Sequence, residues 1–221
     1  SPTLSRSEKI GLIQAIKKAT GLPVIANAGT NDTRVSVQNA KDAEEAGADG
    51  LLLVAPYYNK PDQGMLYDHF STIASSVKIP SMLYNVPGRT AISIRPETIV
   101  KLSKDVRQIT MLKDAAGNLD DTTVVIRDAA PGFRVYTGED ALTLPTLAIG
   151  GYGVVSVAGH VVAPFMKKMI EAYLVGKIAE AAALHVKLQA INRALFLQPN
   201  PVPVKRADRK STRLNSSHRI R

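Results

Sequence analysis

One lysine in this sequence stands where an amine could become a nucleophile. Ile109, Thr110, Met111 and Leu112 form a short β-prone run, Lys113 follows, and Asp114-Ala115-Ala116-Gly117-Asn118 turns the chain. A strand that ends by holding an amine in poor solvent disfavours the ammonium and lowers its pKa. The neutral amine can add to a ketone and form a Schiff base, which makes Lys113 a candidate covalent catalyst. The same stretch also fits a plainer reading, in which Lys113 only marks the exit of a strand into water. The choice depends on what surrounds it.

The elements that must position Lys113 are legible as an alternation. Capping-box spacing between Ser5 and Glu8, with Ile10, Ile13 and Ile16 on one face, predicts a helix ending at Gly21. Pro23–Ala26 predicts a strand, Thr33–Ala46 a helix closed by Gly47, and Gly50–Ala55 a strand apolar on both faces. Helix is expected over Gln63–Val77, strand over Ser81–Tyr84, and helix over Pro96–Leu102 with proline in its first turn. Beyond the Lys113 strand come a helix near Leu119–Ala129, a strand Phe133–Tyr136, a helix near Ala141–Ile149 and a last strand Gly153–Val157. Two helices, roughly Ala163–Val175 and Lys177–Leu195, precede the segment Pro199–Pro203, which is expected not to be helical.

Six strands, each followed by a helix, imply a parallel sheet flanked by helices. A doubly wound nucleotide binder needs a glycine-rich fingerprint after its first strand, and Asn27–Asp32 (NAGTND) has none. In a barrel, functional groups stand at the ends of several different strands. Tyr57-Tyr58-Asn59, Tyr84-Asn85, Lys113 and Gly138-Glu139-Asp140 are spread in that way. The expected fold class is therefore α/β, a (β/α)8 TIM barrel represented by about six βα units plus C-terminal helices.

Composition narrows the function. With 221 residues and 45% hydrophobic side chains there is material for one sizeable core. No apolar run approaches the roughly 20 residues of a membrane span, and no secretory pattern opens the chain. Cysteine is absent, so a reducing cytoplasm is the expected location. The net charge is +9, but Lys205–Arg221 holds seven Lys or Arg against Asp208 alone, leaving only +3 elsewhere. Nucleic-acid binding by the body of the chain is rejected on that distribution. Residues 1–205 are expected to form the catalytic domain, and 206–221 a basic tail, disordered or foreign to the fold. His69, His160, His185 and His218 are scattered, so neither a metal nor a cofactor is expected.

Four motifs in order carry a resemblance: APYYNKP (Ala55–Pro61), YNVPGRT (Tyr84–Thr90), LKDAAGN (Leu112–Asn118) and GGYGVVSV (Gly150–Val157). From Ser1 to about Lys205 the chain resembles the dihydrodipicolinate synthase family, pyruvate-dependent class I aldolases of the N-acetylneuraminate lyase superfamily. The resemblance implies condensation of pyruvate with aspartate semialdehyde in lysine and diaminopimelate biosynthesis. It gives Lys113 the imine with pyruvate, Tyr84 the proton shuttle, and Tyr58 a place in the proton relay, reached across a subunit interface of a homodimer or homotetramer. It gives Arg89 a substrate carboxylate and Val155 a main-chain contact to pyruvate. Each position has an ordinary alternative: a core tyrosine, a solvated arginine, an exposed aromatic patch, a core valine. Neuraminate and keto-sugar-acid lyases share the lysine and tyrosine, and a non-catalytic degenerate barrel is the alternative of another class. Arg89 favours the small aldehyde.

Departures from the family pattern set further expectations. The family's Gly-Thr-Thr-Gly-Glu segment would stand just before Ser1, preceded by two strands and a helix. Without them, the strands at Val24–Ala26 and Val154–Val157 are expected to become open edges. Residues 1–221 alone are then expected to be inactive, although the Lys113 nitrogen and Tyr84 oxygen should still point into one cavity.

Overall fold

A computed structural model describes residues 3–217. Helix α1 (Arg6–Thr20) begins where Ser5 and Glu8 complete a capping box, and Gly21 closes it at φ 65°, a left-handed position that glycine tolerates. Strand β1 (Ile25–Asn27) leads to α2 (Thr33–Glu45), whose first amides at Arg34 and Val35 donate to the Asp32 carboxylate. Strand β2 (Gly50–Val54) is followed by α3 (Gln63–Ser75), capped by Asp62. Strand β3 (Ser81–Asn85) runs into a single turn, α4 (Pro87–Thr90), before α5 (Pro96–Asp105). Strand β4 (Ile109–Asp114), helix α6 (Leu119–Asp128) and strand β5 (Arg134–Thr137) come next. A 3-10 turn (Asp140–Leu142), α7 (Thr143–Ala148), β6 (Gly153–Val154), α8 (Gly159–Leu174), α9 (Ile178–Ala194) and α10 (Val202–Ser217) complete the order.

The strands line up in sequence order, β1 to β6, and β1 through β4 pair in parallel. This is the βα alternation of the expected barrel, with β1 and β6 at the two ends of the order. The chain divides into two compact units. One contains the residues up to Tyr136 with Gly150–Tyr152; the other contains Thr137–Ile149 with Gly153 onward.

In the first unit one face of the sheet is sealed by helices. Leu51, Leu53, Leu83 and Leu112 from the strands pack with Leu66, Phe70 and Ile73 of α3 and Leu102 of α5, all fully buried. The alternate positions Leu52, Val54, Tyr84 and Lys113 are only half-buried. The apolar run of β2 predicted cover on both faces, whereas the face carrying Lys113 is partly open. Polar ties fix α1 to the starts of β1 and β2 and to α2. The Asp49 carboxylate accepts from Lys17 Nζ at 2.8 Å and from the Val24 amide at 2.6 Å, and Asp42 takes both Nε and Nη2 of Arg6.

In the second unit Met166, Met169, Leu188, Leu195 and Val204 form a core between α8, α9 and α10. Three findings differ from the sequence expectations here or nearby. The one-turn helix α4 was not anticipated, because four residues are too few to show periodicity. Strand β6 stops after two residues rather than running to Val157, because the Val157 and Ala158 amides donate to Asp140 Oδ2 at 3.0 and 2.9 Å instead of to a ladder. Helix α10 begins inside Pro199–Pro203, with Pro203 in the first turn where a missing N–H is tolerated. It continues through Ser217, across a stretch whose composition predicted no regular element. Val204 and Ala207 explain its attachment, since both pack on that core, and residues 218–221 lie outside the described residues.

His69, buried on α3, shares a hydrogen bond of 2.8 Å with Thr33 Oγ1 through Nδ1, while Nε2 has no partner among the described residues. Burial lowers its pKa from 6.5 to about 4. The folded state therefore binds fewer protons than the unfolded chain between those values, and stability must fall as pH falls through that window. We expect a loss of roughly 2–3 kcal/mol between pH 6.5 and 4 in urea denaturation, at ~1.4 kcal/mol per unit. His69→Gln should flatten the slope; an unchanged slope would assign the loss to other groups.

Candidate active site

The site is built by the register of three strands. Val54 pairs with Tyr84, and Tyr84 with Lys113, so one row crosses β2, β3 and β4 at their C-terminal ends. Neighbours in such a row point to the same face. The Lys113 Nζ lies 4.1 Å from the centroid of the Tyr84 ring. A cationic amine is favoured there by the ring face, and a neutral one stays within reach of whatever the phenol contacts. The two side chains share one face of the sheet, with the amine over the ring.

One residue further on, Asn85 pairs with Asp114, and both side chains turn to the buried, helix-covered face. Asp114 Oδ1 accepts from Asn85 Nδ2 at 3.2 Å and from the Ala116 amide at 3.1 Å; Oδ2 accepts from Thr122 Oγ1 at 2.9 Å. Asn85 Oδ1 accepts from the Ile94 amide at 3.0 Å. Burial pushes the Asp114 pKa up, and these donors pull against that without cancelling it. Sequence reasoning assigned neither Asn85 nor Asp114 a role. The available signal was adjacency, since a polar residue directly after Tyr84 and another directly after Lys113 must share the opposite face.

The turn after β4 is equally determined. Gly117 adopts φ 77°, and Asn118 then caps α6 by accepting from Asp120 and Asp121 amides at 3.0 and 3.3 Å. Acids in that first turn suit the positive end of the helix.

The remaining candidates are carried by other segments, Arg89 on α4, Tyr58 in the loop after β2 and Val155 just past β6. Arg89 lies on α4, exposed, four residues past the end of β3. The next residue but one, Ala91, has φ 59°. Tyr58 follows β2 in a loop, 88% exposed and with φ 73°, so its side chain stands in solvent. Asn59 Nδ2 holds that loop to the Asn31 carbonyl at 3.0 Å. Val155 belongs to the second unit, half-buried, and its amide donates to the Thr137 carbonyl at 2.9 Å, which leaves its own carbonyl as the main-chain group it can offer.

Known proteins share this arrangement of sequence. The model of the dihydrodipicolinate synthetase family matches residues 1–219. The 4-hydroxy-tetrahydrodipicolinate synthase of Bacillus subtilis is 49% identical over 209 residues, covering 94% of this chain and 72% of that protein. The crystal structure of a dihydrodipicolinate synthase from Bacillus anthracis superposes with a TM-score of 0.92 at 43% identity, covering 95% of this chain and 72% of that one. A monomeric dihydrodipicolinate synthase variant matches at TM-score 0.89 and 35% identity, over 92% of this chain and 70% of its own.

The raised pKa of Asp114 has a sign that can be checked. A carboxyl whose folded pKa lies above its unfolded value of 3.8 binds more protons when folded, so it lowers stability as pH rises through the folded value. Asp114→Asn removes that ionisation. We expect the variant to have a higher urea midpoint than the parent at pH 7, with the advantage shrinking as pH falls toward 3.8. A lower midpoint at pH 7 would show that the carboxylate charge itself stabilises the fold.

Proposed function

Because this chain belongs to the dihydrodipicolinate synthetase family, we propose that it condenses pyruvate with aspartate semialdehyde through an imine on Lys113. The observation that carries the reading is the pairing of Tyr84 with Lys113 across β3 and β4, with the amine 4.1 Å from the ring centroid. The neutral amine adds to the pyruvate carbonyl, and water leaves as the imine forms. Loss of a methyl proton gives an enamine, whose carbon attacks the aldehyde carbon while the aldehyde oxygen takes a proton. Tyr84 moves these protons, since a phenol beside the nitrogen can serve as acid and then as base. Hydrolysis of the imine returns the free lysine.

In this reading Arg89 binds a substrate carboxylate, for which a planar guanidinium is the matching donor. Val155 offers pyruvate its main chain. Tyr58 completes the proton relay of a neighbouring subunit, so the working form is a homodimer or homotetramer. A tyrosine ring left 88% exposed by its own unit supports that assignment, because an aromatic with a polar tip suits a surface that another subunit covers. Residues 1–205 act as the catalytic domain, without a cofactor, in the cytoplasm. No helix among the described residues is long and apolar enough to cross a membrane. The 49% identity to a 4-hydroxy-tetrahydrodipicolinate synthase favours aspartate semialdehyde over the sugar acids of related lyases.

Borohydride reduction in the presence of pyruvate tests the imine directly. In a chain of full family length carrying these residues, we expect a pyruvate adduct on the peptide containing Lys113. Tyr84→Phe should still be labelled while turnover falls by about 10²-fold or more. Labelling of the parent at another lysine, or none at all, would favour the non-catalytic alternative.

Residues 1–221 on their own should give no measurable condensation. Their β1 and β6 stand at the ends of the strand order, and the half-covered face that carries Lys113 admits water. Turnover near that of the full-length family chain would refute this.

A further inference from the structure

The pairing of β3 with β4 changes register along its length. Ser81 pairs with Ile109, but Met82 pairs with Met111, so Thr110 is passed over and every later pair is displaced by one residue. Had the first register continued, Tyr84 would oppose Leu112 and Lys113 would oppose Asn85. The shift is what sets Lys113 beside Tyr84. A one-residue slip in a sheet moves each side chain to the other face, so the displaced register must be held at its far end as well.

We propose that Asp114 is a positioning residue for the Lys113–Tyr84 pair, acting with Asn85 as a hydrogen-bonded clamp that holds the shifted register. The proposal rests on the reading of Lys113 as the imine-forming lysine. The clamp draws on four segments. Asn85 belongs to β3 and Asp114 to β4; the Ala116 amide comes from the turn, and the Thr122 hydroxyl from α6. Asn85 extends it to the Ile94 amide, and the Ala115 amide adds a further bond of 2.8 Å to the Asn85 carbonyl. Both side chains are buried, so an alternative register would leave these groups without partners in a place water does not reach.

Hydrogen-bond geometry, not charge, does the holding. The Thr122 hydroxyl lies 2.9 Å from Asp114 Oδ2 and 2.8 Å from the Asn118 carbonyl, and its single proton can serve only one of them. A neutral group at position 114 that donates to Thr122 Oγ1 would satisfy both contacts. An asparagine does this with Nδ2, while its Oδ1 keeps the bonds from Asn85 and Ala116. The clamp therefore survives loss of the charge and fails on loss of the side chain.

The test uses a chain of full family length and reads the rate at which pyruvate is trapped on Lys113 by borohydride. The parent is measured first, and if it is not labelled the reading of Lys113 has failed rather than the clamp. Given labelling, Asp114→Asn should trap pyruvate within about threefold of the parent, while Asp114→Ala should be slower by about tenfold or more, as expected for an angstrom-scale misplacement. If Asp114→Ala does not fold, Asn85→Ala decides, with the same tenfold loss expected. In the double Ala variant the losses should not multiply, because both act through one clamp. Trapping by Asp114→Asn as slow as by Asp114→Ala would assign the effect to charge and overturn the proposal. Near-parental trapping by a folded Ala variant would overturn it too.

Discussion

The passing-over of Thr110 is the constraint on which the described site depends. A parallel ladder left to itself keeps one register, and here that register would bury Lys113 against the helices or set it beside Asn85. Displacement by one residue instead brings an amine over an aromatic ring and, one position on, two amide- and carboxyl-bearing side chains together beneath the helices. The face that carries Lys113 and the helix-covered face are consequences of a single alternation. Neither can be changed without moving the other.

The helix-covered face shows how such a register is kept. Polar groups there are short: Asp42, Asp114 and Asn85 have few rotatable bonds, so fixing them loses little side-chain entropy while their several bonds set geometry closely. Asp114 accepts from three donors, and Asp42 from Arg6 and Gln38. In the second unit Asp140 has the same character, buried and accepting from Ser156 and from the first amides that lead into α8. Around these struts the helices start sharply, at Asp32, Asp62 and Asn118. Each of these caps follows a strand after a short turn, which keeps the connection that carries Tyr58 and the turn after Lys113 compact.

What could be read from the sequence follows from the range over which each signal acts. Ser5 with Glu8, Gly21 and Gly47 report helix ends through local chemistry, and all stand where expected. The place of Lys113 near the end of a strand was legible because an apolar run closing on a lysine reports itself locally. Asp114 and Asn85 were not, since their partnership depends on the register of two strands, and a skipped residue in β4 leaves no mark in composition. Strand β6 was overestimated because Val154 to Val157 has strong strand propensity, yet a carboxylate sixteen residues before Ser156 takes the donors a ladder would need. The helix through residues 202–217 was missed for the opposite reason: its apolar residues are few, and Val204 and Ala207 attach a mostly charged and polar sequence to the core.

Strain is distributed in the same functional pattern. Beyond the glycines, positive φ is found at Tyr58, Lys60 and Ala91 among the described residues. All three lie in turns that follow β2 or β3, next to candidate site residues. A left-handed conformation at a residue with a β-carbon costs about 1 kcal/mol or more, and at Tyr58 the Asn59 amide, donating to the Tyr57 carbonyl at 2.9 Å, works against that cost. The turn at Tyr58 is thus fixed from within its own unit, while the ring it carries is 88% exposed. A loop selected for stability alone would place glycine or asparagine at that position and turn the ring inward. The exposed ring is intelligible if a neighbouring subunit covers it, which would link the strained backbone after β2 to the chemistry proposed at the end of β4.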